Sequence, residues 1–310
     1  MTLAQAPLLV SGATHSAQTF RMMIKDLSRG SEGVTEAADL KVTPLPVPGA
    51  GVQIGDGSAV IRGRANAWQG SYTAYNIGTA TVPIAPTSAG AGRSDLIVLR
   101  IQDPDFEGGK DPATDAINNF EVIPNVGKAT GVPAGVTGIA LARIDIPAST
   151  GTITAGMITD LRQVALPRRE RTQYLAFPHE LTKAWKDDEQ WHDWPTPARW
   201  QIRVPDWATS VIFSVTIAGL RLDYDNVYGT VRPMFGTAVG QGVVVNDEQG
   251  KVVRRNTLVV ADTLTLPPAF RGTSQPLYLQ ARMAKTVKGD LGVDEGSTIV
   301  ADVEFIEGPV

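Results

Sequence analysis

The chain has 310 residues, which is long enough for two domains with separate hydrophobic cores. It contains no Cys, which excludes disulfides, thiolate metal sites and a Cys nucleophile. Its formal net charge of −4 provides no basic field, so we expect no nucleic-acid partner.

The first twenty residues lack both a basic start and an apolar stretch of signal-peptide length. No run in the sequence approaches the roughly 18 apolar residues that span a bilayer. We therefore expect a chain that is made and folded in a cytoplasm, with no membrane insertion.

One amphipathic helix is predicted near the start, in the segment SAQTFRMMIKDLSRG. Gly30 stands where a left-handed C-terminal cap is expected. The apolar stripe has helical spacing and favours packing against the core over a ligand groove; it consists of Phe20, Met23, Ile24 and Leu27.

From residue 41 to 164 the sequence is typical of short strands separated by Gly-rich turns, in keeping with its 31 Gly and 21 Pro. The segments SDLIVLRIQD and GIALARIDIP are predicted to be buried strands. Residues 104–124 lie between them and are rich in Gly, Asp and Asn, so we expect an exposed surface excursion there.

The segment LRQVALPRRERTQY, at 161–174, carries four arginines opposed by one acid and is interrupted by Pro167. Such a composition is typical of a linker between packed units. We predict an N-terminal domain over 1–165, a linker over 166–172 and a C-terminal domain over 173–310.

The C-terminal half has apolar residues at alternate positions in several segments, among them STIVADVEFIE at 297–307. This pattern predicts a β-sandwich in which one face of each sheet is buried.

Tryptophans are concentrated just after the predicted linker: five lie within 23 residues. Exposed indole rings stack on sugars, whereas buried ones fill the end of a sandwich or a subunit contact, and the pattern favours the second role. The candidate glycan or interface contacts are Trp185, Trp191, Trp194 and Trp200.

Catalytic and metal-binding patterns are weak in this sequence. If the segment before His192 were helical, Asp188, Glu189 and His192 would share one face, but a solvated acidic face is favoured over a metal site. No Gly-x-Ser-x-Gly elbow or phosphate-binding loop occurs. We therefore expect no enzymatic activity, no metal and no cofactor.

Three segments together resemble a known family: RSDLIVLRIQD, GIALARIDIP and GTITAGMITDLR, with the match carried by residues 93–101, 139–147 and 153–162. They are similar to the N-terminal attachment module of minor tail and baseplate-appendage proteins of long-tailed bacteriophages. The second half resembles a β-sandwich at the C-terminal end of such proteins in actinobacterial phages.

This resemblance implies a mainly β fold: an N-terminal β-rich attachment domain with one amphipathic helix, followed by a jelly-roll-like C-terminal β-sandwich. It also implies a structural, homotrimeric virion protein at the tail tip that contacts other tail-tip or baseplate proteins, with its C-terminal half projecting toward the host surface or bridging neighbours. The alternative is a carbohydrate-binding receptor protein or a depolymerase that acts on host envelope polysaccharide.

Four charged residues near the domain boundary are predicted to act at a subunit interface or in the linker: Asp160, Arg162, Arg168 and Arg169. Asp160 and Arg162 are two residues apart, so they can pair across a threefold interface or form a local turn hydrogen bond. The sequence does not separate these two roles.

Overall fold

The computed structural model describes residues 11–310, which fold into two compact units. The first unit comprises the described residues up to Pro167 together with Pro309–Val310, and the second comprises Arg168–Gly308. Both units are built almost entirely from antiparallel strands, so the predicted mainly β fold class is confirmed.

The first unit contains two helices and ten strands: α1 (Ala17–Leu27), β1 (Gly33–Val34), β2 (Val42–Pro44), β3 (Gly51–Ile54), β4 (Gly57–Arg62), β5 (Ser71–Asn76), β6 (Ala80–Pro83), β7 (Arg93–Ile101), α2 (Pro104–Glu107), β8 (Asn118–Ile123), β9 (Gly138–Ile146) and β10 (Ile158–Asp160). The strands form three sheets, in the orders β1-β4-β5, β2-β3-β6 and β10-β9-β7-β8. One apolar cluster unites all three sheets, with Ile61, Val52 and Ile97 fully buried in it.

The two apolar runs SDLIVLRIQD and GIALARIDIP form β7 and β9, as predicted, and they pair along their length. Five consecutive residues of β7 are buried, which explains why the run shows no alternation of apolar and polar residues. The excursion predicted over 104–124 is wrong in part. Residues Asn118–Ile123 form the edge strand β8, which pairs with β7. The sequence did not indicate this strand because an edge strand buries little side-chain surface and tolerates polar residues.

Helix α1 is confirmed, with Ser16 as its N-cap and Gly30 at a positive φ of 71° beyond its end. The predicted burial of its apolar stripe is wrong in part: Phe20 is 44% exposed and Leu27 is 72% exposed, whereas Met23 and Ile24 are half-buried. The buried helix residue is Arg21, whose guanidinium pairs with Asp103 at 3.0 Å.

Hydrogen bonds explain why the polar side of α1 faces the unit. Arg21 Nε donates to the carbonyl of Gln69 at 3.0 Å, and Lys25 Nζ donates to the carbonyl of Ala67 at 2.8 Å. The Tyr72 hydroxyl donates to Asp103 at 2.7 Å beside Arg21. Burial and this hydrogen bond raise the pKa of Tyr72, so the phenol is neutral at physiological pH.

The second unit contains twelve strands: β11 (Arg169–Ala176), β12 (Thr182–Lys183), β13 (His192–Asp193), β14 (Arg199–Arg203), β15 (Ser210–Asp223), β16 (Val227–Phe235), β17 (Ala238–Val239), β18 (Val243–Asp247), β19 (Arg254–Thr265), β20 (Ser274–Met283), β21 (Asp290–Val293) and β22 (Thr298–Ile306). In one sheet β15 pairs with β19, β21 and β22, while β11 and β12 flank them. In the other, β20 pairs with β13, β14 and β16, and β16 pairs with β17 and β18.

Alternate residues of the central strands fill a single core between these two sheets. The inward side chains of β22 end in Val303 and Phe305, and those of β20 include Leu277 and Leu279. The alternation in STIVADVEFIE therefore has the predicted structural basis, and the second unit is a β-sandwich.

The linker predicted over 166–172 is wrong from Arg169 onward. Residues Arg169–Ala176 form β11, which pairs with β22 along its whole length. Most side chains of β11 are exposed because it is an edge strand, and its sequence therefore has the polar, charged character of a linker.

Candidate functional site

The segments that carry the phage-tail resemblance lie side by side in one sheet of the first unit. They provide β7, β9 and β10, which are adjacent in the order β10-β9-β7. The Arg-x-Asp at the start of β7 forms a local ion pair, with Arg93 Nε 2.8 Å from an oxygen of the buried Asp95. This arrangement fixes the beginning of the central strand.

Arg162 uses all five of its N–H groups within its own chain. Nε and Nη2 donate to Asp160, Nη1 donates to the carbonyls of Ala37 and Asp39, and Nη2 also donates to the main-chain oxygen of Val310 at 2.8 Å. A guanidinium has five donors, so none is left for a partner subunit. Of the two roles left open by the sequence, the geometry supports the local one for Arg162.

The other two predicted boundary charges also pair within the second unit. Arg168 Nη2 lies 2.6 Å from Glu307, and Arg169 Nη1 lies 3.2 Å from Glu304. Glu304 belongs to β22, and Glu307 directly follows that strand. These arginines therefore secure the edge of the sandwich.

The four candidate tryptophans separate by burial. Trp194 is 2% exposed, and its Nε1 donates to the carbonyl of Thr182 at 3.2 Å, so it belongs to the core and offers no face to a glycan. Trp200 is half-buried against Tyr174. Trp185 is 54% exposed and its ring centroid lies 6.0 Å from that of His192, while Trp191 is half-buried.

Trp191 is the center of a cationic cluster. The guanidinium carbon of Arg232 lies 4.0 Å from the centroid of the indole ring, and that of Arg282 lies 5.0 Å from it. Cations are attracted to the face of an indole ring by its quadrupole. Trp191 therefore holds two positive charges in place, a role that differs from the sugar stacking considered above.

Strand pairing brings these arginines together on the outer face of the second sheet. Arg232 of β16 stands opposite Gln280 of β20, and Thr230 stands opposite Arg282. The Gln280 side-chain oxygen accepts hydrogen bonds from Arg232 Nε at 3.0 Å and Nη2 at 2.7 Å. Arg232 is thus fixed in orientation, whereas Arg282 is exposed to solvent.

Two pockets that share Tyr228 as a lining residue lie on the second unit, and we call them together the groove. Arg282 lines the groove, whereas Arg232 and Trp191 are not among its lining residues. Its first part, of about 260 Å³, is lined by Arg282, Thr230, Tyr228 and Glu189. Its second part, of about 510 Å³, continues past Tyr228 to loops that contribute polar groups: Asp225, Asn226, Asn246, Glu248, Thr286 and Lys288. Tyr228 is 47% exposed and lines both parts.

The two arginines form no ion pair in the described part of the chain, although Glu189 lines the same pocket as Arg282. Across residues 11–310, no carboxylate lies within ion-pair distance of Arg232 or Arg282, whereas the nearby Arg199 pairs with Asp193 at 2.9 Å. Burial, together with the charge of Arg282, lowers the pKa of Arg232 from its usual range. The cluster is therefore a local positive field in a chain of net negative charge.

The segment before His192 is not helical, so the shared face considered for a metal does not form. His192 Nε2 lies 2.9 Å from an oxygen of Asp188, and the Glu189 side chain turns to the backbone N–H of Lys285. In the described part of the chain, no group of three His, Asp or Glu side chains is placed to hold a metal ion.

The sequence identifies Trp191 as a candidate but gives no signal for Arg232, Arg282 or Tyr228. These residues occupy outward positions of strands 37 or more residues further along the chain, and only the β16–β20 register places them beside Trp191. Alternation in β16 does indicate that Tyr228, Thr230 and Arg232 share one face, but it does not indicate their neighbours.

None of the helices described in residues 11–310 has the length and apolar character required to cross a bilayer. No protein-family model and no curated protein matches the chain.

Three solved structures are similar to this chain at a low level. The structure of the infectious bursal disease virus Gx strain aligns with a TM-score of 0.27 and 11% identity, covering 90% of this chain and 78% of that one. The VP2 subviral particle of the same virus aligns with a TM-score of 0.24 and 12% identity, covering 89% of this chain and 77% of that one. A Cry1Da tryptic core variant of Bacillus thuringiensis aligns with a TM-score of 0.23 and 10% identity, covering 98% of this chain and 57% of that one. Similarities at this level assign neither fold nor function to this chain.

Proposed function

We propose that this chain is a structural protein of a bacteriophage tail tip or baseplate, made in the host cytoplasm and assembled into the virion as a homotrimer. The first unit anchors it to neighbouring tail proteins, and the second unit contacts glycan on the host surface. The observation that carries this proposal is that the three tail-protein-like segments form one contiguous sheet, β10-β9-β7, in a unit separate from the one that bears the groove.

The anchoring role is supported by helix α1. An isolated soluble domain gains stability by burying apolar side chains, yet α1 buries Arg21 and presents Phe20 and Leu27 to solvent. This arrangement suits a face that a neighbouring tail protein covers on assembly.

The anchoring role is tested by replacing Phe20 and Leu27 with Ser in the phage that encodes the chain. Both side chains are exposed, so the variant is expected to fold, while virions should contain little or none of it. The matched control is Ile77→Ser, since Ile77 is also strongly exposed in the first unit. Incorporation of the double variant at the level of the control would contradict anchoring through α1.

The host-contact role is supported by the groove, which combines the Tyr228 ring, the Arg282 guanidinium and several amide and carboxylate groups. The Arg232 guanidinium shares the Trp191 ring with that of Arg282. Such a mixture of a flat apolar surface and directed hydrogen-bond groups is what sugar rings require. Replacing Tyr228 with Ala removes the ring without disturbing the core, and it should reduce adsorption of virions to host cells.

The depolymerase alternative predicts a different result. A depolymerase shortens host envelope polysaccharide during incubation with the purified chain, whereas a binding protein leaves its length unchanged. Size-exclusion chromatography of the polysaccharide before and after incubation separates the two functions.

A further inference from the structure

We infer that the groove binds a glycan that carries an anionic group, a carboxylate or a phosphate, and that Arg232 and Arg282 bind this group. The inference rests on the proposed host-contact function and adds the chemistry of its ligand. The two guanidinium groups share one indole ring, and among the described residues neither has a carboxylate partner.

Two like charges held near each other are unfavourable unless an opposite charge lies between or beside them. Elsewhere in the second unit such charges are compensated: Arg221 and Arg255 both pair with Asp294, at 3.1 Å and 2.8 Å. At Trp191 no acid among the described residues is in ion-pair contact with either arginine, since Glu189 only lines the pocket beside Arg282, so a bound anion supplies the missing contact.

The donors are oriented for this task. Gln280 fixes Arg232 through Nε and Nη2, which leaves Nη1 of Arg232 and the whole exposed Arg282 fork for a ligand. Planar guanidinium groups bind carboxylate and phosphate through two parallel hydrogen bonds, which suits an anion more than a neutral hydroxyl.

The remainder of the groove gives the ligand a direction. Tyr228 lies between the arginine end and the loop end, which presents Asn246 and Glu248. Amide and carboxylate oxygens accept hydrogen bonds from sugar hydroxyls. The bound polymer therefore places its anionic substituent at Arg232 and Arg282, a sugar ring at Tyr228 and neutral hydroxyls toward the loops.

The inference is tested by titrating the purified full chain with three polymers of matched length: polygalacturonate, poly(glycerol phosphate) and neutral dextran. Binding to at least one anionic polymer should exceed binding to dextran by tenfold or more and should weaken as salt is added. Binding of polygalacturonate identifies carboxylate as the recognised group, and binding of poly(glycerol phosphate) identifies phosphate.

The critical variant is Arg282→Gln, which removes an exposed charge and should weaken anionic binding at least tenfold. Arg203→Gln is the matched control, because Arg203 is exposed on β14 and pairs in register with Ser274, at the opposite end of β20 from Arg282. The control should stay within about twofold of the original chain, since exposed charges that far apart are largely screened.

Two outcomes overturn the inference. One is equal weakening by Arg282→Gln and Arg203→Gln, which would indicate non-specific attraction, and the other is a failure of both anionic polymers to bind better than dextran. The proposed function fails separately: it is contradicted if Tyr228→Ala and Arg282→Gln virions adsorb to host cells like the original.

Discussion

Arg162→Ala should destabilise the first unit strongly, because one buried guanidinium satisfies four different acceptors. Truncation leaves the main-chain oxygens of Ala37, Asp39 and Val310 and the carboxylate of Asp160 without this donor. Removing one partner of a buried, hydrogen-bonded ion pair costs about 3–5 kcal/mol. Asp160 is partly exposed and recovers some hydration, so we expect a loss of about 3–4 kcal/mol.

Differential scanning calorimetry measures this loss. For a unit of this size about 1 kcal/mol corresponds to roughly 2–4 °C, so the transition of the first unit should fall by about 6–16 °C. Arg162→Lys keeps the charge but not the planar fork, so its transition temperature should lie between those of the original chain and Arg162→Ala. Arg143→Ala is the control, because it removes an arginine with the same two-residue spacing from a pair that is more exposed than Arg162 and Asp160, and its effect should be smaller. A loss below about 1 kcal/mol for Arg162→Ala would refute the role assigned to this network.

Three further predictions concern stability. Trp194→Ala should cost the second unit about 3–5 kcal/mol in chemical denaturation, whereas Trp185→Ala should be nearly neutral; equal losses would contradict the burial described here. A hydrogen bond from Arg255 holds the pKa of Asp294 well below its usual range, so Asp294 contributes to the stability of the second unit above about pH 4, and this contribution is lost as the pH falls further. Asp294→Asn should therefore flatten the acid limb of a curve of stability against pH, and an unchanged limb would contradict this. Burial raises the pKa of Tyr72, so the folded first unit disfavours the ionised phenol and should lose stability as the pH rises above about 10. Tyr72→Phe removes the ionisable group and should reduce that loss. A variant that is as sensitive to alkali as the original would contradict this prediction.

Much of the fold could be predicted because it depends on local patterns. Alternating apolar residues place Val303 and Phe305 in a sandwich core, and the continuous apolar run of β7 predicts a buried strand. Helical spacing identifies α1, but periodicity indicates only which face is apolar. It does not indicate which face meets the protein, and here the ion pair between Arg21 and Asp103, 82 residues apart, decides the orientation.

The candidate site was less accessible from the sequence, because it depends on pairing between distant strands. The clustering of tryptophans identifies Trp191, yet the role proposed for it depends on Arg232 and Arg282, which no local motif connects to it. The same limit applies to Arg162: spacing alone allows a subunit contact, and only the positions of the Ala37, Asp39 and Val310 main-chain oxygens show that its donors are used internally.

The most direct test of the proposed function is a cryo-electron microscopy map of virions of the phage that, on this proposal, encodes the chain. The account predicts three copies around the tail axis at the tip or baseplate, with the first unit in contact with neighbouring tail proteins and the groove of the second unit open to solvent. A map in which the chain is absent from the tail, or in which neighbouring virion proteins cover Tyr228 and Arg282, would contradict it.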